Sequence, residues 1–311
     1  MPTSPGPEIA VLIPCYNEEK TIAAVVRDFR KALPDAAIYV YDNNSRDRTG
    51  EEARNAGAMV RRETVQGKGR VVRRMFADIE AAYYVLVDGD DTYDASIAPQ
   101  MVAAVREENI AMLVGRRIHD STAAYRPGHV LGNQLFTGSV ARLFGRNLSD
   151  ILSGYRVFSR AFVKSFPVSS GGFEIETELT VHALTLGLPI SEVSTTYRER
   201  PAGSVSKLNT YRDGIRILWM IFTLFKNEKP LGFFSIFGGV CLAVSVLLAW
   251  PVVLTFLETG LVPRFPTAIL ATGLALYALI MFACGLILDT VTKGRREMKL
   301  LSYLNAGRPG Q

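Results

Sequence analysis

The sequence predicts an α/β fold, a mostly parallel sheet with helices on both faces, followed by two C-terminal transmembrane helices. Three features lead there. Short apolar runs alternate with amphipathic stretches of helical length over roughly the first two thirds of the chain. Each run ends in a polar cluster rich in carboxylates, asparagine or glycine. Two long uncharged runs, 231–257 and 265–288, follow, each able to span a hydrocarbon core of ~30 Å at 1.5 Å per residue.

Taken in order, residues 1–7 (MPTSPGP) form a breaker-rich tail. Residues 9–13 make a first strand, PCYNEE a loop, and 18–33 an amphipathic helix. A strand at 38–41 leads through DNNSRDRT to a helix at 50–56 and a short strand at 58–61. The loop ETVQGKGR precedes a helix at 71–82. The next strand, 83–87, is apolar throughout, as expected where both faces of a sheet are covered. A helix (97–107) and a strand (110–114) follow, then a polar stretch, RRIHDSTAAYRPGH, and an apolar helical segment at 130–145. LSDILSGYRVFSR and GGFEIETELTVHALTLG come next. Residues 190–197 read as a strand, RERPAGSVSKLNTYRDG as a basic loop and 211–225 as an interfacial helix. The expected organisation is a soluble domain at 1–209, a juxtamembrane amphipathic helix at 210–230, two spans with a short external loop at 231–289, and a basic tail at 290–311.

The chain is 48% hydrophobic with a net charge of +5, and the positive charge clusters around the spans. Arg212, Arg216, Lys226 and Lys229 precede the first; Lys293, Arg295, Arg296 and Lys299 follow the second; the loop between them holds only Arg264 as a basic residue. The positive-inside rule puts both flanks, both termini and the N-terminal domain in the cytoplasm. No signal peptide is expected near the N-terminus. The basic flanks suit anionic membrane lipid, not nucleic acid, which would call for a basic stripe with interleaved aromatics. Pro251 is expected to kink or end the first span, and Trp219 to anchor at the interface. The three cysteines, Cys15, Cys241 and Cys284, have neither disulfide nor metal spacing. The histidines, His119, His129 and His182, lack ligand spacing and read as polar structural residues.

In a sheet of this kind ligands bind beyond the carboxyl ends of the strands. Four clusters lie there: 14–18, 42–47, 66–70 and 88–91. Asp88 and Asp90 are two apart, and Gly89 lets the backbone pass close to a ligand. Two hard carboxylates beside a diphosphate suit Mg²⁺ or Mn²⁺, which would neutralise a leaving diphosphate.

VLIPCYNEEKTI, VYDNNSRDRT, QGKGR and VLVDGDD, in that order, resemble the inverting family 2 glycosyltransferases with a GT-A nucleotide-diphospho-sugar transferase fold. SGYRVFSR, RPAGSVSKL and the two spans narrow the resemblance to the polyprenyl-phosphate glycosyltransferases, the group of dolichyl-phosphate mannose synthase. The resemblance covers roughly residues 8–207. It implies a nucleotide-sugar donor, UDP- or GDP-linked, and a polyprenyl-phosphate acceptor, undecaprenyl or dolichyl, used at the cytoplasmic membrane face for cell-envelope glycans or glycolipids. Carried over by position, Pro14, Tyr16 and Glu18 hold the nucleoside, Asp42 contacts the base, and Lys68 lies in the loop covering the nucleotide. Asp88 and Asp90 match the metal-binding DxD motif. Asp150 matches a catalytic base or acceptor positioner. Arg117, Arg200, Ser206 and Lys207 match phosphate-binding positions. Two departures stand out: Asn43 replaces a second aspartate, and Thr92 stands where some synthases carry glutamine.

Asp150 also reads as a helix cap, and Arg200 and Lys207 as ordinary juxtamembrane cations. Arg116, like Arg117, could serve the acceptor. The alternating Glu174, Glu176 and Glu178 suggest an extended face or a solvated helix start, with a catalytic role for Glu176 as the alternative. Rival functions are a glycosyltransferase with another membrane acceptor, glycolipid or polysaccharide, and a non-catalytic membrane scaffold. The QxxRW motif of processive synthases is absent. The sequence does not fix the sugar or the oligomeric state, although two-span anchors often pack as homo-oligomers.

Overall fold

The computed structural model describes residues 6–119, 148–167, 175–198 and 210–307, with single positions between 137 and 144; at 119 and 210–218 it describes the backbone. It comprises two compact units, one of residues up to Ile215 together with Met298 onward, the other Arg216–Glu297.

The first unit is built on a seven-stranded sheet in the order β3-β2-β1-β4-β6-β5-β7. Its strands are β1 (Ile9–Cys15), β2 (Ala37–Asp42), β3 (Met59–Arg62), β4 (Tyr83–Leu86), β5 (Met112–His119), β6 (Arg156–Ser159) and β7 (Ile190–Tyr197). β1 pairs in parallel with β2 and β4, β2 with β3, and β5 with β7. β6 runs antiparallel to both of its neighbours, β4 and β5. The sheet is therefore mixed, and β6 is the strand that sequence periodicity did not reveal. Four residues with a buried arginine at their head, RVFS, carry no usable alternation. The reversal has a consequence for function: the start of β6 lies at the same sheet edge as the ends of β4 and β5, with Arg156 opposite both Leu86 and Val114.

Helices cover both faces. Along β1, Val11, Ile13 and Cys15 enter one core while Ala10 and Leu12 enter the other, the two-residue alternation of a doubly covered strand. One face packs against α1 (Ile22–Ala32), α2 (Thr49–Asn55) and α4 (Ala98–Glu107). The other packs against α3 (Lys68–Asp78), α5 (Arg160–Ser165) and α6 (Ile175–Thr185). In α1, Ile22, Val25, Val26 and Phe29 are buried, the i, i+3, i+4, i+7 stripe of an amphipathic helix. α1 begins four residues later than periodicity suggests, because Thr21 and Ile22 donate to the Glu18 carbonyl in a preceding turn. α3 starts earlier than expected, directly after Gly67, whose φ of 136° suits only glycine.

The second unit holds most of α7 (Thr210–Glu228), α8 (Pro230–Thr259) and the apolar part of α9 (Phe265–Ala306). α8 and α9 are long and apolar enough to cross a membrane. They expose large apolar side chains along their length, Leu247, Trp250, Leu257, Leu279 and Ile287 among them. That surface would be unstable in water, and the chain is a membrane protein. Pro251 lies inside α8 without ending it. Small residues bring the two helices together: a Cβ on Gly238 would stand 3.1 Å from the Ala278 carbonyl, and Ser245 donates to the Ala271 carbonyl at 2.7 Å. Trp219 is exposed and stacks on Phe222. α9 remains helical through residues 290–306, where the sequence reads only as a basic tail. Within the first unit, Arg160 donates to the Ala306 carbonyl at 2.9 Å.

Candidate functional site

The ends of β1 and β2 are stitched into one platform. Asn17 N–H donates to Ser45 Oγ at 3.0 Å, Arg46 N–H returns to Asn17 Oδ1 at 2.9 Å, and Glu18 N–H donates to Thr49 Oγ1 at 2.8 Å. Asn17 and Asn44 hold positive φ angles of 55° and 61°, conformations asparagine tolerates better than most residues. Pro14, Tyr16 and Glu18 are half-buried on this platform. Asp42 accepts the Ser45 N–H at 2.8 Å.

Asn43 does not face outward. Its Nδ2 donates to the Glu63 and Val65 carbonyls at 3.3 and 2.9 Å, and its Oδ1 accepts the Gly67 N–H at 2.7 Å. This one side chain pins the 63–67 loop, which delivers Lys68.

Cys15 sits among the carboxylates. Burial first, then Glu18, Asp88, Asp42 and Asp90, push its thiol pKa well up. The strand register places these acids at one end of the sheet: Cys15 pairs with Asp42, and Leu12 with Leu86 just before Asp88. Gly89 threads between them: a Cβ there would stand 2.5 Å from Cys15 Sγ, and Thr21 Oγ1 holds its carbonyl at 2.7 Å. Asp90 is 4% exposed and accepts from Thr92 Oγ1 at 2.6 Å, so Thr92 orients this carboxylate. Lys68 Nζ lies 2.5 Å from Asp88 Oδ1 and 2.5 Å from Glu176 Oε1. Burial alone would lower the lysine pKa; Asp88, then Glu176, outweigh it and hold the ammonium above its ordinary value. Glu176 is thus a buried residue in the first turn of α6, not part of a solvated start. Glu174 lies outside the described residues.

A second cluster forms where β5, β6 and β7 meet. Arg117 grips Asp150 through Nε and Nη2, both at 2.7 Å, and its own N–H adds a contact at 3.2 Å. Burial favours the neutral acid, but Arg117 prevails and holds the Asp150 pKa below the usual range. Glu192, on β7, accepts the N–H groups of Ser149 (2.8 and 2.9 Å) and Asp150 (3.1 Å). Arg156 is fully buried and donates to the Ser153 carbonyl, the Ile151 carbonyl and Thr180 Oγ1 at 3.0, 2.5 and 2.9 Å. Burial lowers its pKa to about 10. Asp150 is therefore a loop carboxylate gripped by Arg117, with its backbone N–H held by Glu192, not a helix cap.

Gly154 joins the clusters. Its N–H donates to Tyr93 Oη at 2.9 Å, and a Cβ on it would fall 2.3 Å from Asp88 Oδ2. Arg116, by contrast, is exposed and donates to Ser194 Oγ at 2.8 Å. Arg200, Ser206 and Lys207 lie outside the described residues.

Among the described residues, no three His, Cys, Asp or Glu side chains converge as a metal cage. The Asp88–Asp90 pair nevertheless fits a hard divalent ion. Asp88 already holds a cation, the Lys68 ammonium, and two carboxylates leave coordination positions for phosphate oxygens and water. Sequence reasoning missed Glu192, Arg156, Tyr93 and Gly154. SGYR advertised two of these; Glu192 had no signal.

Residues 10–166 match the family model described as glycosyl transferase family 2. Glycosyltransferase AglJ of Haloferax volcanii is 33% identical, aligned over 98% of this chain and 100% of its own length. A dolichyl-phosphate hexose transferase of the same organism is 29% identical over 68% of this chain and 90% of its own. A crystal structure of glucosyl-3-phosphoglycerate synthase from Mycobacterium tuberculosis, in complex with Mn²⁺, UDP-glucose and phosphoglyceric acid, shares the fold. Its TM-score is 0.56 at 22% identity, covering 71% of this chain and 79% of that one. The chain belongs to glycosyl transferase family 2 and is a glycosyltransferase with a GT-A fold.

Proposed function

We propose that the protein transfers a sugar, with inversion, from a UDP- or GDP-sugar to a polyprenyl phosphate at the cytoplasmic face of the membrane. The observation that carries this reading is the placement of Asp42, Lys68, Asp88 and Asp90 at one end of the sheet, in a chain with two helices long and apolar enough to cross a membrane. The relatedness to a dolichyl-phosphate hexose transferase supports the acceptor, and the Mn²⁺–UDP-glucose complex of the structural neighbour supports a nucleotide donor with a divalent metal.

In this reading Pro14, Tyr16, Glu18 and Asp42 hold the nucleoside, and the 63–67 loop closes over it. Asp88 and Asp90 would hold Mg²⁺ or Mn²⁺, which, when bound, supplies electrostatic stabilisation to the departing diphosphate. Lys68 adds a second positive charge there. The acceptor phosphate is already ionised at neutral pH, so the reaction needs no strong base. Asp150, held as a carboxylate, positions Arg117, and the guanidinium carries further N–H donors toward an acceptor phosphate. Arg200, Ser206 and Lys207 would complete the phosphate site. Catalysis is then mostly positioning and charge. The basic residues flanking the spans support a cytoplasmic catalytic domain at 1–209, joined through the 210–230 helix to the spans at 231–289.

The test is a transfer assay on detergent-solubilised protein with undecaprenyl phosphate, Mg²⁺ or Mn²⁺ and a panel of radiolabelled UDP- and GDP-sugars. Label in the lipid phase, lost in Asp90→Ala, supports the reading. Nucleotide binding without lipid labelling points to another acceptor, and no binding of any donor overturns it.

A further inference from the structure

Lys68 occupies the place of a bound cation. It opens α3 directly after Gly67, and its side chain is only 11% exposed. Its ammonium bridges carboxylates from two distant parts of the chain: Asp88, just beyond β4, and Glu176, 108 positions away in α6. Glu176 is itself nearly closed to solvent, and its charge is met by Lys68 at hydrogen-bond distance. A second cation on Asp88 would sit beside the ammonium in a site largely shielded from water, where like charges repel strongly.

We propose that Lys68 is the resident counter-cation of Asp88, exchanged for a divalent cation when a donor diphosphate arrives, and that Glu176 is the positioning residue that keeps the lysine within reach during the exchange. This rests on the reading of Asp88 and Asp90 as metal ligands. The chemistry favours an exchange. Lysine is a compact point charge on a flexible four-carbon stem, able to swing between partners without breaking a fork of fixed hydrogen bonds. Removing it from Asp88 with nothing in its place would leave a partly buried carboxylate, 29% exposed, without its counter-charge. A divalent cation alone must displace the lysine with no new partner to receive it. A diphosphate alone draws the lysine toward itself only by leaving Asp88 bare beside phosphate charge. Arriving together, cation and diphosphate each supply what the other removes, so their binding is positively coupled, and by linkage the coupling is reciprocal. The site would then stay poorly loaded with metal until donor is present.

The experiment uses the full chain in detergent. Mn²⁺ binding is followed by the electron paramagnetic resonance of the free ion, and UDP and GDP binding by calorimetry, each alone and in combination. Lys68→Met is expected to tighten Mn²⁺ alone about tenfold or more, since a neighbouring positive charge has gone, and to weaken nucleotide alone. Lys68→Arg, which keeps the charge, is expected to retain the weak Mn²⁺ binding of the parent. Glu176→Gln leaves the ammonium wholly on Asp88, and Mn²⁺ alone should bind several-fold more weakly. A lysine that merely braces the fold would move both isotherms in the same direction. Unchanged or weaker Mn²⁺ binding in Lys68→Met overturns the exchange. If that variant does not fold, unchanged or tighter Mn²⁺ binding in Glu176→Gln overturns it. A parent protein that binds neither nucleotide, even with Mn²⁺, overturns the donor reading and this inference with it. A parent that binds both together while Lys68→Met shifts nothing overturns this inference alone.

Discussion

Arg117 and Asp150 form a two-pronged pair, Nε to Oδ2 and Nη2 to Oδ1, each at 2.7 Å, with both side chains largely buried. A carboxylate held this way is a poor proton acceptor, because accepting a proton breaks the pair. Removing either partner strands a buried charge, a loss of roughly 3 kcal/mol in stability. Removing both should cost little more than removing one. The measurement is a double-mutant cycle of Arg117→Ala and Asp150→Ala, read by thermal unfolding and by transfer rate. Sign also matters. With its folded pKa depressed, Asp150 contributes stability that is present above its unfolded value of about 3.9 and lost as pH falls below it. Around neutral pH the transfer rate should therefore show no limb from Asp150. A rate that follows a carboxylic acid near neutrality, and loses that dependence in Asp150→Asn, would restore the base role.

His182 gives the first unit a second, separate acid sensitivity. It lies edge-on to Phe162 and Phe166, and neither ring nitrogen has a hydrogen-bond partner among the described residues. Its role is thus apolar packing, where sequence suggested a polar one. Burial, then Lys299, pushes its pKa down to about 3, against an unfolded value of about 6.5. Between these values the unfolded chain binds a proton that the folded chain refuses. Stability is full above about pH 6.5 and falls on acidification, by at most about 1.4 kcal/mol per pH unit. His182→Leu should flatten this fall while leaving stability at pH 7.5 equal or higher. Melting curves at pH 5, 6 and 7.5 check it; equal slopes in both proteins would assign the acid sensitivity elsewhere.

The sheet was legible where apolar runs ended in polar clusters, because strand burial and loop chemistry both leave local marks. β1, β2, β4 and their tips are of this kind. What stayed hidden depended on long-range pairing. Asp150 meets Arg117 only because β6 runs antiparallel and brings residues 150–155 to the edge where β5 ends. Glu176 belongs to an alternating run of acids, which in sequence suggests solvent, yet its partner is 108 positions away. Glu192 acts on backbone N–H groups, and no residue-type pattern announces such a contact.

Asn43 replaces an acidic residue common in related motifs, and its bonds give the substitution a definite expected outcome. Asn43→Asp would retain the contact from Gly67 N–H but turn the donor side into an acceptor facing the Glu63 and Val65 carbonyls. The expected loss is about 1–3 kcal/mol for the disrupted buried group. The 63–67 loop should loosen, raising the donor KM with kcat little changed. Initial rates over a donor series, beside melting curves, test it. An unchanged KM would mean that the loop does not bear on the nucleotide.

Gly154 offers the sharpest separation of stability from activity. A Cβ built there stands 2.3 Å from Asp88 Oδ2 and 2.9 Å from its Cγ, closer than any packed carbon tolerates. The obstructing group is the tip of a side chain that can rotate, so Gly154→Ala is expected to fold with a loss of stability near 1 kcal/mol. Asp88, however, must give way, and with it the geometry of the proposed metal site. A displacement of about 1 Å in such a site can lower the rate 10²-fold. The expected phenotype is a folded protein with strongly reduced transfer and weakened Mn²⁺–nucleotide binding. Because the effect passes through Asp88, adding Gly154→Ala to Asp88→Ala should reduce activity no further. If the two losses simply add, the alanine acts through Tyr93, whose hydroxyl receives the Gly154 N–H. In that case Tyr93→Phe should reproduce the Gly154→Ala defect while Asp88 keeps its full effect.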